Sequence, residues 1–167
     1  MTISICTNRY IAEDGWVWHP IGEVVTWNLQ RWLQSNVWES EDGSSRRILC
    51  GRDYFWNSSM CWVSSNLLAV WGFGDDDECM VPAARIFDVN TGKEVTWFPG
   101  PKGKFVFDTY LFSFSEKDSL SIWDVETGEQ LLQDQSLTPL QYHPQTKQFL
   151  SILPNGLVKL SKLTVQR

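Results

Sequence analysis

Ser121-Ile122-Trp123-Asp124-Val125-Glu126-Thr127-Gly128-Glu129-Gln130-Leu131 has a second copy upstream, Arg85-Ile86-Phe87-Asp88-Val89-Asn90-Thr91-Gly92-Lys93-Glu94-Val95. Asp88 and Asp124 are 36 residues apart, and self-similarity at such a period is the mark of a stacked-repeat architecture. Working outward from the two copies, short apolar runs alternate with turn residues at spacings that predict an all-β fold. Met60-Cys61-Trp62-Val63, Leu67 to Phe73, Ala84 to Val89 and Glu94 to Phe98 give one set of four strands. Lys104 to Phe107, Tyr110 to Phe114, Leu120 to Val125 and Gln130 to Leu132 give the next. A third set runs from Pro139 through Gln148 to Leu153 and Leu157 to Leu163.

Gly92, Gly128 and Gly156 fall at the turns between the last strands of these sets, where a hairpin commonly requires a positive φ. Phe112-Ser113-Phe114 and Leu150-Ser151-Ile152 alternate large apolar with small polar residues, a period-two pattern that predicts a strand with one face more buried than the other. Asp88 and Asp124, at equivalent turn positions, read as carboxylates that accept backbone N–H bonds rather than as a catalytic pair.

Ile122-Trp123-Asp124 with Glu126-Thr127-Gly128, its copy Ile86-Phe87-Asp88 with Asn90-Thr91-Gly92, and Tyr142-His143-Pro144 as a first turn resemble the WD-repeat type of β-propeller blade. The likeness covers the C-terminal two thirds of the chain. The Gly-His pair that precedes such blades is absent, so the Asp-His-Ser/Thr-Trp tetrad of the family is not carried over. The resemblance implies a small propeller-like array of about four antiparallel four-stranded blades in one domain, 1–167, with a divergent blade at 1–59 and clearer repeats at 60–99, 100–135 and 136–163. The last blade lacks its outer strand, and Met1 to Cys6 is the candidate to supply it, because pairing the two ends closes a ring and removes exposed edges.

The first 59 residues admit several registers. Trp18-His19-Pro20 is similar to Tyr142-His143-Pro144, which makes Glu23 to Leu29 a second strand, whereas Trp27-Asn28 matched to Trp123-Asp124 makes it a third. Val25, Leu29, Trp32 and Leu33 recur at helical spacing. The β reading is preferred, with Ser40 to Arg47 a polar loop and Ile48-Leu49-Cys50 and Tyr54-Phe55-Trp56 completing the blade.

The chain has 167 residues, a net charge of −6, ten Trp and nine Phe. A length of this order builds one core without metal or disulfide staples, and the aromatic excess suits half-buried pleated surfaces. The acidic balance excludes a phosphate-tracking surface, which needs clustered Lys and Arg. Nucleic acid is therefore not an expected partner; a protein partner is, with a basic one among the alternatives, although a mildly acidic surface more often serves solubility. No run reaches the roughly 18 apolar residues of a membrane span, and no charged leader with an apolar stretch opens the sequence; a cytoplasmic protein is the expectation. Cys6, Cys50, Cys61 and Cys79 lack metal-binding or disulfide-framework spacing, and reduced, mostly buried thiols are expected.

Neither histidine, His19 or His143, belongs to a zinc pattern, and nucleophile-elbow and phosphate-loop motifs are absent. No catalytic residue, cofactor or metal is assigned. The candidate partner-binding residues are Asp75, Asp76, Asp77 and Glu78, an acidic insertion after Gly72-Phe73-Gly74, with Trp16 and Trp18 in the Trp-rich first blade. Four adjacent carboxylates lack the alternating ligands and turn glycine of a calcium loop, so the insertion reads as a solvated acidic loop, and as the first interaction candidate because insertions on one rim of a repeat fold often carry binding. The function expected is a non-enzymatic protein-binding module, monomer or homodimer, with an inhibitor or immunity-type role against a basic partner as its narrower form. The alternatives are a hydrolase or lyase using a central channel and a carbohydrate-binding module using exposed Trp.

Overall fold

The repeated sequence is a hairpin in both copies. In the computed structural model, which describes residues 2–6 and 9–162, β7 (Val81–Asp88) pairs with β8 (Lys93–Pro99), and β11 (Ser119–Trp123) with β12 (Gln130–Asp134). Asp124 Oδ1 accepts from the amides of Glu126 and Thr127 at 2.8 and 3.1 Å, and Asp88 Oδ1 from that of Asn90 at 2.8 Å. The carbonyls of the same two aspartates accept from the amides of Gly128 and Gly92 at 2.9 and 2.7 Å. Thr127 and Thr91 close each turn by accepting from the amide two residues on. Gly92 and Gly128 sit at φ 72° and 73°, a region closed to most side chains. Each residue type of the repeat thus has a local backbone task.

The other strands are β1 (Thr2–Cys6), β2 (Tyr10–Trp18), β3 (Ile21–Asn28), β4 (Arg47–Asp53), β5 (Met60–Trp62), β6 (Leu67–Phe73), β9 (Lys104–Phe107), β10 (Leu111–Ser115), β13 (Gln141–His143), β14 (Gln148–Ile152) and β15 (Val158–Lys162). They form antiparallel sheets in chain order, β1-β2-β3-β4, β5-β6-β7-β8, β9-β10-β11-β12 and β13-β14-β15. β1 pairs with β2 from Thr2↔Asp14 to Cys6↔Tyr10, which corrects the expectation that it supplies the missing outer strand of the last sheet. The short link after Cys6 makes this the local hairpin, and local pairing carries the smaller loop-closure cost. Leu163, the expected end of the last strand, lies outside the described residues.

The first sheet settles its register through Trp27. Ile11↔Trp27 matches Leu111↔Trp123 and Leu68↔Phe87, so Ile21–Asn28 is a third strand. The equation of the two His-Pro pairs fails, because His19-Pro20 lies between second and third strands and His143-Pro144 between β13 and β14. The strand stops at Asn28, whose side chain accepts from the Arg31 amide at 3.0 Å and caps α1 (Leu29–Gln34). Asn is a favoured N-cap for this reason, so both the β and helical readings of this stretch hold on either side of residue 28. Tyr54 to Trp56 is not a strand; β4 ends at Asp53, and Tyr54 and Asn57 take φ 56° and 62°.

The chain divides into two compact units, Met1–Gly100 and Pro101–Arg167. In the first, Tyr10, Ala12, Val24 and Leu49 pack on Met60, Leu68, Val70, Phe87 and Val89, and the Tyr10 hydroxyl donates to Asn90 Oδ1 at 2.8 Å. In the second, Phe112, Phe114, Leu120 and Ile122 pack on Leu137, Tyr142 and Phe149, and the Tyr142 hydroxyl donates to Asp108 Oδ2 at 2.6 Å. Each buried side chain of this size contributes about 1.5–3 kcal/mol relative to exposure. In β10 both faces are buried, Phe112, Ser113 and Phe114 alike, where one was expected; in β14 the alternation holds, with Phe149 and Ser151 buried and Ile152 exposed. The more buried side of β14 is the one that carries Ser151.

Candidate functional site

A buried ion pair fixes the foundation of the site. Asp14 on β2 and Arg52 on β4 meet at 2.7 Å with both side chains fully enclosed. Asp14 Oδ2 also accepts from the Ser58 amide at 2.6 Å, and Arg52 Nη1 donates to Ser58 Oγ at 2.7 Å and to the Trp71 carbonyl at 3.3 Å. Burying two charges costs several kcal/mol per ion unless geometry and further hydrogen bonds compensate. Here they clamp β2, β4 and the segment after β4 together beneath the surface. Phe55, over which Arg52 lies at 5.2 Å, stacks on Trp71 at 5.7 Å.

Above this clamp two backbone hydrogen bonds gather segments distant in sequence. The Tyr54 amide donates to the Pro20 carbonyl at 2.7 Å, tying the segment to the β2–β3 turn, and the Asp53 amide donates to the Asp75 carbonyl at 2.7 Å, tying it to the acidic insertion. His19 meets Tyr54 edge-on at 5.1 Å. The resulting rim carries Trp18, 70% exposed, with Tyr54 also exposed, and Asp53 beside Asp75 and Asp76.

The acidic loop is itself ordered by Cys79. Asp76 Oδ1 accepts from the Cys79 amide at 2.9 Å, and this bond holds the Asp76 carboxyl below its usual range. Asp75, Asp77 and Glu78 remain exposed. Among the described residues no three His, Cys, Asp or Glu side chains converge as a metal site. Burial pushes the thiols of Cys50 and Cys61 up, which makes them poor nucleophiles; the side chain of Cys6 lies outside the described positions. The His143 ring Nδ1 is engaged locally by the Thr146 amide at 3.3 Å.

Trp16, although two residues from Trp18, belongs elsewhere. The register shift between Trp16 and Trp18 separates them, and Trp16 lines a cleft of roughly 600 Å³ on the first sheet with Trp27, Trp32, Glu13, Glu23 and Glu41. Glu13 is held above the usual carboxylate range, first by burial and then by the nearby Glu41 charge. Glu23 is paired with Arg46 at 3.2 Å. Of the six residues singled out from sequence, Asp75 and Asp76 lie against Asp53, Trp18 is paired with Ile21 and so stands two strands from Asp53, and Trp16 lines the cleft on the sheet face. Sequence reading missed Asp53, Tyr54 and the Asp14–Arg52 clamp; the available signal was Asp14 continuing the inward alternation of Tyr10 and Ala12.

No family model and no curated protein matches the sequence. Solved structures do. The computationally designed protein Ika4 matches with a TM-score of 0.58 at 14% identity, over 97% of this chain and 89% of that one. A chain of a mitotic checkpoint complex matches with a TM-score of 0.62 at 18% identity, over 96% of this chain and 45% of that one. The fold is an all-β array of propeller-type blades. The designed protein Ika8 matches with a TM-score of 0.53 at 13% identity, over 96% of this chain and 45% of its own. The chain thus spans under half the length of two of these blade arrays. No helix among the described residues is long and apolar enough to cross a membrane.

Proposed function

We propose that this chain is a protein-binding module that takes a basic segment of its partner on the rim built from Trp18, Asp53, Tyr54 and the Asp75–Glu78 loop. The observation that carries the reading is the pair of backbone bonds from Asp53 and Tyr54, which tie the segment bearing the exposed Tyr54 both to the turn that follows the exposed Trp18 and to the carboxylate loop. Exposed aromatic faces attract cations and bury the stems of Lys and Arg, and a carboxylate cluster steers a cationic segment toward them. Loops on a rigid blade scaffold are common carriers of binding. The net charge of −6 adds a long-range attraction of the same sign. In its narrower form the role is that of an inhibitor or immunity-type protein neutralising a basic toxin or enzyme.

Arrayed peptides graded from acidic to basic test the reading directly. Binding is expected to rise with positive charge, to fall steeply with added salt, and to weaken at least tenfold in Trp18→Ala, since a central aromatic anchor is worth about 2 kcal/mol or more. The quadruple Asp75/Asp76/Asp77/Glu78→Ala variant should lose association rate above all. Equal binding across the charge series, or by wild type and both variants, removes the rim as the contact surface.

A further inference from the structure

Glu13 stands in the middle of an apolar row. On β2 it faces Ile3 of β1 on one side and Val25 of β3 on the other, and the next row on the same face is Ile5, Ile11 and Trp27. α1 closes over the Trp27 end of this face: Trp32 meets Trp27 edge-on at 6.3 Å, and Ile11, Val25 and Trp27 are buried there. The row of Glu13 stays open to solvent, with Ile3 51% and Trp16 57% exposed. Ile3, Glu13 and Trp16 line the cleft of roughly 600 Å³ already described, with Trp27 and Trp32 at its closed end, a volume in the range of small-molecule sites.

The charges of the cleft do not balance. Its lining holds Glu13, Glu23 and Glu41 against Arg46. Arg46 is already committed, because Nη2 donates to Glu23 Oε2 at 3.2 Å and Nε to the Ser40 carbonyl at 3.1 Å. Glu13 and Glu41 enter no ion pair among the described residues. A half-buried carboxylate is costly unless a cation meets it, and burial together with the Glu41 charge holds Glu13 above the usual range. The rest of the lining is indole and aliphatic. Ammonium groups are attracted to indole faces, and methylene stems pack against apolar surface.

We propose that this cleft binds an aliphatic diamine, one ammonium group at Glu13, the other at Glu41, and the methylene chain against Ile3 and the indole walls. Two positive charges match the two carboxylates that Arg46 leaves unpaired. A metal ion is the poorer occupant, since among the described residues no three carboxylate, thiol or imidazole side chains converge and indole offers a hard cation no ligand. None of the rim residues lines the cleft, so the site is independent of the rim.

Calorimetric titration of the full chain with linear diamines from 1,2-diaminoethane to 1,6-diaminohexane should give saturable binding by at least one of them. The monoamine of the same length should bind about tenfold more weakly or worse, because one charge-assisted contact is lost, and the corresponding diol should not bind. Glu13→Gln and Glu41→Gln should each weaken the diamine by a similar factor. The quadruple Asp75/Asp76/Asp77/Glu78→Ala variant should bind it as wild type does; loss of binding in that variant assigns the diamine to the rim and overturns the proposal. No saturable binding by any diamine, equal affinity for diamine and monoamine, or full affinity in Glu13→Gln also overturns it. Should a glutamate variant fail to fold, nuclear Overhauser contacts on the wild type decide: the methylene protons of the bound diamine must reach the Trp16 indole, and contacts confined to other residues rule the cleft out.

Discussion

Trp123 and Trp27 occupy the same register of their sheets and differ by one hydrogen bond. Trp123 Nε1 donates to Ser113 Oγ at 2.9 Å, whereas Trp27 Nε1 is buried with no hydrogen-bond partner among the described residues; Glu13 stands where the first sheet would place the serine. A buried hydrogen bond of this kind is worth about 1 kcal/mol net. Trp123→Phe is therefore expected to lower stability by about that amount beyond any packing loss, and Trp27→Phe by distinctly less; urea titration of both variants checks the difference. The Asp14–Arg52 pair permits a sharper test. Removing one partner leaves a buried charge uncompensated and should cost about 3–5 kcal/mol, whereas the double substitution Asp14→Leu with Arg52→Met should cost less than either single one. Asp14 Oδ1 and Arg52 Nε have no hydrogen-bond partner among the described residues, so the pair is incompletely satisfied there. Glu39 gives the pH dependence. The Ser45 hydroxyl and amide and the Asn36 amide group donate to its carboxylate and hold it below the usual range. A lowered folded value means that its stabilisation is complete above the ordinary carboxylate range and is lost as pH falls through the lowered one. The stability gap between wild type and Glu39→Gln should accordingly be widest at neutral pH and narrow on acidification.

At the scale of the element, the Asp-x-x-Thr-Gly turns are the most self-sufficient pieces of the structure. Gly128→Ala forces a side chain into φ 73° and should destabilise by about 1 kcal/mol or more, with the loss read from the thermal midpoint. This autonomy explains why the later hairpins were legible in the sequence: Asp88, Asn90, Thr91 and Gly92 fold their turn with bonds among themselves and their immediate neighbours, so the residues that form it are adjacent in the chain. The first sheet was harder for the opposite reason. Its register depends on Ile11 facing Trp27 and Val25 facing Glu13 across a hairpin, and the His19-Pro20 dipeptide carries no information about which strands it joins. Asn28 reads like Asp124 in sequence and caps a helix instead, because Leu29 to Gln34 continue as good helix formers where Glu126-Thr127-Gly128 turn back. The carboxylate cluster at the rim could be read from adjacency alone, but its company could not. The β2–β3 turn and the acidic loop are joined to one segment only because backbone amides at 53 and 54 reach two different loops, and backbone bonds of that kind leave no mark on residue identity.

For the whole molecule, the division at Gly100 separates two apolar clusters with different members. The buried apolar side chains of the first unit run to Phe98 and those of the second begin at Phe105. Limited proteolysis under mild denaturation should therefore yield a protected fragment ending near residue 100 before either core is degraded, and mass analysis of the first resistant products checks this. The same ordering bears on how the protein is made. Synthesis runs from the N-terminus, so every side chain of the first core has left the ribosome while the second is still being translated, and the Asp14–Arg52 clamp can close on a nascent chain that has not yet reached Trp123.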